Sequence, residues 1–210
     1  MKLMNFPVLF FVIGLSVNLM TASVCLADSA ATSQLKSTID KIIKLAKNES
    51  LKSNKDDRRI AMQKAIDERF NYSQMVRRSL GKTYDSLSDQ EKQNFIKLFK
   101  GLLESSYASK LESYSDEKIN YLGEVVKGKY ALVKTAVVRP NSTIGVDYKL
   151  IVDNGQWKVY DFVIEGVSMI RNYKSQFTKI IRKNSYEALV EKLTKKMEEL
   201  EKKSKETGSL

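Results

Sequence analysis

The stretch "IGVDYKLIVDNGQWKVYDFVIEGVSMIRNYKSQF", Ile144–Phe177, decides the fold because its apolar period changes along its length. Ile144, Val146, Tyr148, Leu150 and Val152 alternate with polar neighbours such as Asp147 and Lys149, so they share one face of a strand, and that face is expected to be buried. "DNG" at Asp153–Gly155 is a tight-turn signal, and "QWKVYDFVIEG" is the strand that returns from it. Gly166 lets the chain turn sharply, and Ser168 is positioned to cap a helix that carries Ile170, Tyr173 and Phe177 back over the same space. From Val159 to Ile170 the chain is apolar in almost every register, with lone acids at Asp161 and Glu165.

Outward from this stretch, "INYLGEVV" and "KYALVKTAVVR" supply two earlier period-two strands, which makes four in all. Upstream the spacing is helical. Leu35, Ile39, Ile42, Ile43 and Ala46 stripe a first helix, a charged loop "NESLKSNKDD" follows, and a second helix is expected from about Asp57 to Phe70. A short third helix at "YSQMVRRSLG" stops at Gly81. Ser88 and Glu91 then stand in capping-box spacing before the longest helix, striped by Phe95, Leu98, Phe99, Leu102, Leu103, Tyr107, Leu111 and Tyr114. Downstream, Ile180 and Ile181 extend one helix, and Tyr186, Leu189, Val190, Leu193, Met197 and Leu200 stripe another. Helices, an antiparallel sheet and helices again make an α+β domain, and no linker or repeat divides it.

The first residues read differently. Lys2, an apolar run to Leu19 and the small-residue end "CLA" form a secretory leader, residues 1–27, cut after Ala27, which leaves a single domain over 28–210. The apolar run is short for a retained anchor, and Val24 is a poor residue before an acylated Cys25. Cys25 is the only cysteine, so the mature chain has no disulfide and depends on its core. The formal charge of +11 falls to +10 when Lys2 is lost with the leader. An exported basic protein faces anionic lipid or acidic partners, and nucleic acid is disfavoured. Arg77, Arg78 and Lys82 form one basic group, and Arg171, Lys174, Lys179, Arg182 and Lys183 another. A solvated helix face is the simplest account of each.

Familiar catalytic chemistry is missing. With no histidine and no mature cysteine, zinc, copper and the common nucleophile pairs lose their usual ligands, and no glycine-rich phosphate loop is present. Asp161 and Glu165 are four strand residues apart, roughly 13 Å at about 3.3 Å each, which is too far for paired carboxylate catalysis. Asp161 is expected to satisfy a neighbouring backbone or basic group, and Glu165 to favour the N-terminus of the following helix. An enzyme that uses Asp161 as a lone acid or base, and a docking protein with a solid core, are the rivals from other classes. Periodicity alone does not separate a filled core from a hollow one.

Three blocks carry a resemblance. Phe70, Met75, Arg77, Leu80 and Gly81 stand in the first; Phe95, Phe99, Leu102, Leu103, Tyr107 and Ala108 in the second; Trp157, Val159, Tyr160, Asp161, Glu165, Gly166, Val167, Ser168, Asn172, Tyr173 and Phe177 in the third. Over about Ser33 to Leu200 the chain resembles the MlaC family of periplasmic phospholipid-binding proteins, also called the toluene-tolerance auxiliary family. Asn71, where an acid is common, and the variable Arg171 and Lys174 are modest departures.

The resemblance implies a small twisted antiparallel sheet wrapped by helices, NTF2-like with additional helices, around a pocket for acyl chains. It implies no enzyme activity and no cofactor, with bound phospholipid as cargo. The implied partners are an outer-membrane lipoprotein complex and an inner-membrane ABC transporter with an MCE domain, with transient membrane proximity. A related branch is associated with hopanoid lipids, so a carrier for hopanoid or another apolar lipid is the alternative reading. On this reading the expected apolar lining is Phe99, Leu103 and Tyr107 from the long helix, Val146, Tyr148 and Leu150 from the third strand, and Phe162, Ile164, Val167, Ile170 and Tyr173 from the opening stretch.

Overall fold

The computed structural model describes residues 30–51, 54–112 and 117–208; the expected leader at 1–27 and Tyr114 lie outside them. Strands β1 (Lys118–Lys127), β2 (Tyr130–Arg139), β3 (Ser142–Asp153), β4 (Gln156–Ile164) and β5 (Val167–Ser168) form one open antiparallel sheet. Their spatial order follows the chain. At the "DNG" turn Asn154 and Gly155 have φ of 48° and 75°, the pair of left-handed residues that a two-residue hairpin of type I′ requires.

Cross-strand register sets three rows of side chains on one face: Ala131, Leu150 and Val159; Val133, Tyr148 and Phe162; Thr135, Val146 and Ile164. Helices cover this sheet from both ends of the chain: α1 (Ala30–Ala46), α2 (Lys55–Asp67), α3 (Tyr72–Leu80), α4 (Lys82–Ser86) and α5 (Asp89–Glu112) before it, and α6 (Met169–Lys183) and α7 (Tyr186–Gly208) after it. Phe95, Phe99, Leu102, Leu103, Met75, Ile170, Phe177 and Leu189 close the core with the first two rows. Packing of α5 against α7 is close at Gly101, where an added Cβ would stand 2.7 Å from Met197 Sδ.

Local chemistry explains the helix ends. The Ser88 N–H and hydroxyl donate to Glu91 Oε2 at 2.7 and 2.6 Å, and the Glu91 N–H donates back to Ser88 Oγ at 3.3 Å, so the capping box forms. Asn71 Oδ1 accepts from the Gln74 N–H at 2.9 Å at the start of α3, and Gly81, at φ 58°, ends that helix. Ser168 Oγ accepts from the Arg171 N–H at 3.1 Å and starts α6. The start of α1 is tied to the sheet, because the Thr32 N–H and hydroxyl both donate to the Glu124 carboxylate of β1.

Several expectations are corrected. The second helix ends at Asp67 rather than Phe70, because Arg69–Asn71 pairs with β4: the Val159 N–H donates to Arg69 O and the Asn71 N–H to Val159 O, each at 2.8 Å. Short α4 and two-residue β5 are additional elements. In β3 the buried neighbour of Leu150 is Ile151, while Val152 is exposed, so alternation fails at that end of the strand. A register shift between Lys149 and Leu150 marks a bulge in the pairing with β4, which sets Lys149 opposite Asp161 and Leu150 opposite Val159.

Candidate functional site

Five of the expected lining residues, Val146, Tyr148, Leu150, Phe162 and Ile164, fall on the face made by the three rows. Burial declines along β3 and β4: Leu150 and Val159 are fully buried, Tyr148 and Phe162 are partly buried against the core, and Val146 and Ile164 at the far end are only partly covered, whereas Ala131, Val133 and Thr135 of β2 stay buried throughout. Tyr107 of α5 meets Phe162 edge-to-face, with ring centroids 5.5 Å apart. Phe99, two turns earlier on the same helix, meets Tyr173 of α6 at 5.1 Å in the same geometry.

These rings belong to two aromatic runs. Tyr72, Phe70, Phe162 and Tyr107 follow one another at 6.2, 6.3 and 5.5 Å, while Phe99, Tyr173, Phe177, Phe95 and Tyr186 follow at 5.1, 5.5, 5.7 and 5.8 Å. Each well-oriented pair adds about 0.5–1.5 kcal/mol beyond area burial. Tyr107 of the first run lies within electrostatic reach of Tyr173 of the second. Burial first, and then Tyr173, pushes the Tyr107 phenol up to about 12. Burial alone pushes Tyr148 up to about 12, and burial raises Tyr173 against the opposing Ser106 hydrogen bond. All three phenols are therefore neutral at ordinary pH, and this end of the sheet offers apolar and uncharged aromatic surface.

Burial separates the expected residues further. Phe99, Leu103, Leu150 and Ile170 are buried in the packed core, so they support the face from behind as much as they line it. Val167 departs from the expected lining: it is 55% exposed, because Glu165 and Gly166, at φ 48° and 78°, reverse the chain and set β5 at the sheet edge.

Asp161 is occupied structurally. Its Oδ2 accepts from Lys149 Nζ at 2.9 Å and from the Ser168 hydroxyl at 2.7 Å, and its Oδ1 accepts from the Ile170 N–H at 3.1 Å. A buried carboxylate with three donors holds the start of α6 against β3 and β4. This corrects the role expected for Glu165. Its carboxylate accepts from the Gly145 N–H of β3, and Asp161 serves the helix N-terminus instead. The physical reason is the left-handed turn at Glu165, which directs that side chain back to the neighbouring strand.

Sequence reasoning missed Phe70 and Tyr72 as parts of the aromatic surface, since they sit at a helix junction where no period is sustained. Thr135 was also missed; its hydroxyl donates to Val146 O at 2.6 Å and so satisfies a polar atom inside the apolar face. The available signal was its position in the alternation of "ALVKTAVV", where it shares parity with Ala131 and Val133.

Known proteins resemble this chain in both sequence and fold. The Haemophilus influenzae intermembrane phospholipid transport system binding protein MlaC is 29% identical over 120 residues, covering 54% of this chain and 56% of the relative, so the match spans about half the length of each. A phospholipid-binding protein from Ralstonia solanacearum, solved in complex with a phospholipid, shares the fold with a TM-score of 0.75 at 21% identity, over 82% of this chain and 99% of that one. The family model described as MlaC protein matches residues 36–195, well over half of the sequence, and the chain belongs to the MlaC family.

Proposed function

We propose that this protein is a non-catalytic phospholipid carrier whose cargo lays its acyl chains along the Val146, Tyr148, Phe162 and Ile164 side of the sheet, beneath Tyr107 and Tyr173. The observation that carries this reading is the decline of burial along β3 and β4 on one apolar face, from a closed core at Leu150 and Val159 to a partly covered end at Val146 and Ile164, beside the buried Thr135 of β2. Family membership supports it, as do the name of the Haemophilus relative and the phospholipid held by the Ralstonia protein. Among the described residues no helix is long and apolar enough to cross a membrane.

The same lines support a finer reading. Exported by its leader, the chain moves phospholipid through the periplasm between an outer-membrane lipoprotein complex and an inner-membrane MCE-type ABC transporter. Two acyl chains hold on the order of 30 methylenes, and at about 0.8 kcal/mol each their exposure to water costs roughly 25 kcal/mol, so unaided diffusion of a lipid is negligible. The rings of Tyr107 and Tyr173 belong to different helices, α5 and α6, and a small relative movement of those helices opens the face without a covalent step.

Native mass spectrometry of protein purified without added lipid tests the proposal. Bound phospholipid, displaced or exchanged on incubation with vesicles, is the expected result. A chain that is ligand-free and takes up no lipid from vesicles would overturn it.

A further inference from the structure

The outward side of α6 is a continuous basic strip. Ile170, Tyr173, Phe177, Ile180 and Ile181 turn toward the protein, which leaves Arg171, Lys174, Lys179, Arg182 and Lys183 exposed over about 18 Å of helix. The helix contains no acidic residue, and among the described residues none of the five cations has an ion-pair partner. At the α3 terminus, an added Cβ on Gly81 would stand 3.5 Å from Lys174 Cε, so exposed Lys82 joins the same basic surface. The exposed groove along this side is lined by the α6 cations with Ser175 and Thr178.

We propose that this strip docks the protein on the surface of an anionic lipid bilayer. A protein partner needs a desolvated apolar or aromatic centre, and the exposed residues of α6 between Arg171 and Lys183 are all polar. An anionic bilayer asks only for clustered cations on flexible stems, and it presents its charge over a plane wide enough to meet all of them at once. Val167, exposed just before the helix starts, supplies one apolar side chain at the end of the strip. This surface goes beyond lipid carriage and does not depend on it, because no α6 cation lies among the rows of the apolar face.

Flotation of the purified protein with vesicles of phosphatidylcholine alone, or with about a third phosphatidylglycerol, tests the inference at low and at roughly 0.5 M salt. Binding is expected only to the anionic vesicles and only at low salt, where screening is weak. Each cation near an anionic surface contributes about fivefold in partition, so the triple variant Lys179→Gln, Arg182→Gln, Lys183→Gln should bind on the order of 100-fold less. A control with the same net charge, Lys44→Gln, Lys55→Gln, Lys127→Gln, should lose less than about fivefold, and circular dichroism should find both variants folded. Equal loss in the control would overturn the strip as the binding surface, as would equal binding to both vesicle types. Salt-sensitive binding to polyglutamate without binding to vesicles would overturn the bilayer in favour of an acidic protein. Lipid content measured on the same samples reports separately on lipid carriage, and the triple variant should keep its cargo.

Discussion

Replacing Asp161 with alanine should destabilise the protein by about 3–4 kcal/mol, through loss of the tie between β4 and the start of α6. The Ile170 N–H is buried and would lose its acceptor, a cost of about 1–3 kcal/mol. Removal of a negative charge from a helix N-terminus adds roughly 0.3–1 kcal/mol. The side chain of Lys149 is 30% exposed and can recover water, so its lost ion pair contributes no more than about 1 kcal/mol. Ser168 keeps its bond from the Arg171 N–H and loses only its own donation to Asp161. Urea titration followed by far-UV circular dichroism measures the sum, and thermal melting should fall by roughly 10 °C at about 2–4 °C per kcal/mol. Asp161→Asn should lie between, since its oxygen can still accept from Ile170 while its amide nitrogen would oppose the Lys149 ammonium. Stability within about 0.5 kcal/mol of the parent for the alanine variant would refute the role assigned to this carboxylate.

Val146→Glu and Tyr107→Glu should each remain folded, because both positions are only partly buried, yet lose most of the phospholipid that lipid extraction and mass spectrometry detect in the parent protein; an unchanged load would show that cargo lies elsewhere. Ultraviolet titration near 295 nm should find Tyr107 and Tyr148 ionising at about 12, above the ordinary value of 10. Their folded-state pKa is raised, so the stability they contribute is complete below pH 10 and is lost as pH climbs from 10 through 12. Tyr148→Phe should flatten alkaline unfolding across that window, and a curve that keeps the parent's shape would contradict the burial assigned to Tyr148.

Much of this architecture is legible in the sequence where one period persists. The alternation of β3, the "DNG" turn, the Ser88–Glu91 box and the long stripe of α5 each specify a local geometry that tertiary packing reinforces. Legibility fails where a few residues switch partners. Arg69–Asn71 leaves a helix to pair with Val159, and no local pattern announces a partner so distant in sequence. The left-handed turn at Glu165 takes that acid away from the helix N-terminus expected for it, while Asp161 meets the basic and backbone partners expected of it, Lys149 and the Ile170 N–H. For the site, the sequence identifies apolar rows but is silent on their depth. The difference between Leu150, sealed in the core, and Val146, partly open, depends on how far α5 and α6 reach across the sheet.

The order of the strands also bears on how the chain folds. Since β1 to β5 pair with one another in chain order, the sheet can assemble by successive short closures, each with a small entropic cost. Longer closures then bring in the helices, among them Arg69–Asn71 onto Val159, Thr32 onto Glu124, Gln34 onto Trp157, α3 onto α6, and α7 onto α5. These late ties hold the helices over the finished sheet, and they are the natural first places for local opening. A meander closed by its own short turns, with helices fastened to it at points distant in sequence, lets its cover loosen without dissolving the sheet beneath.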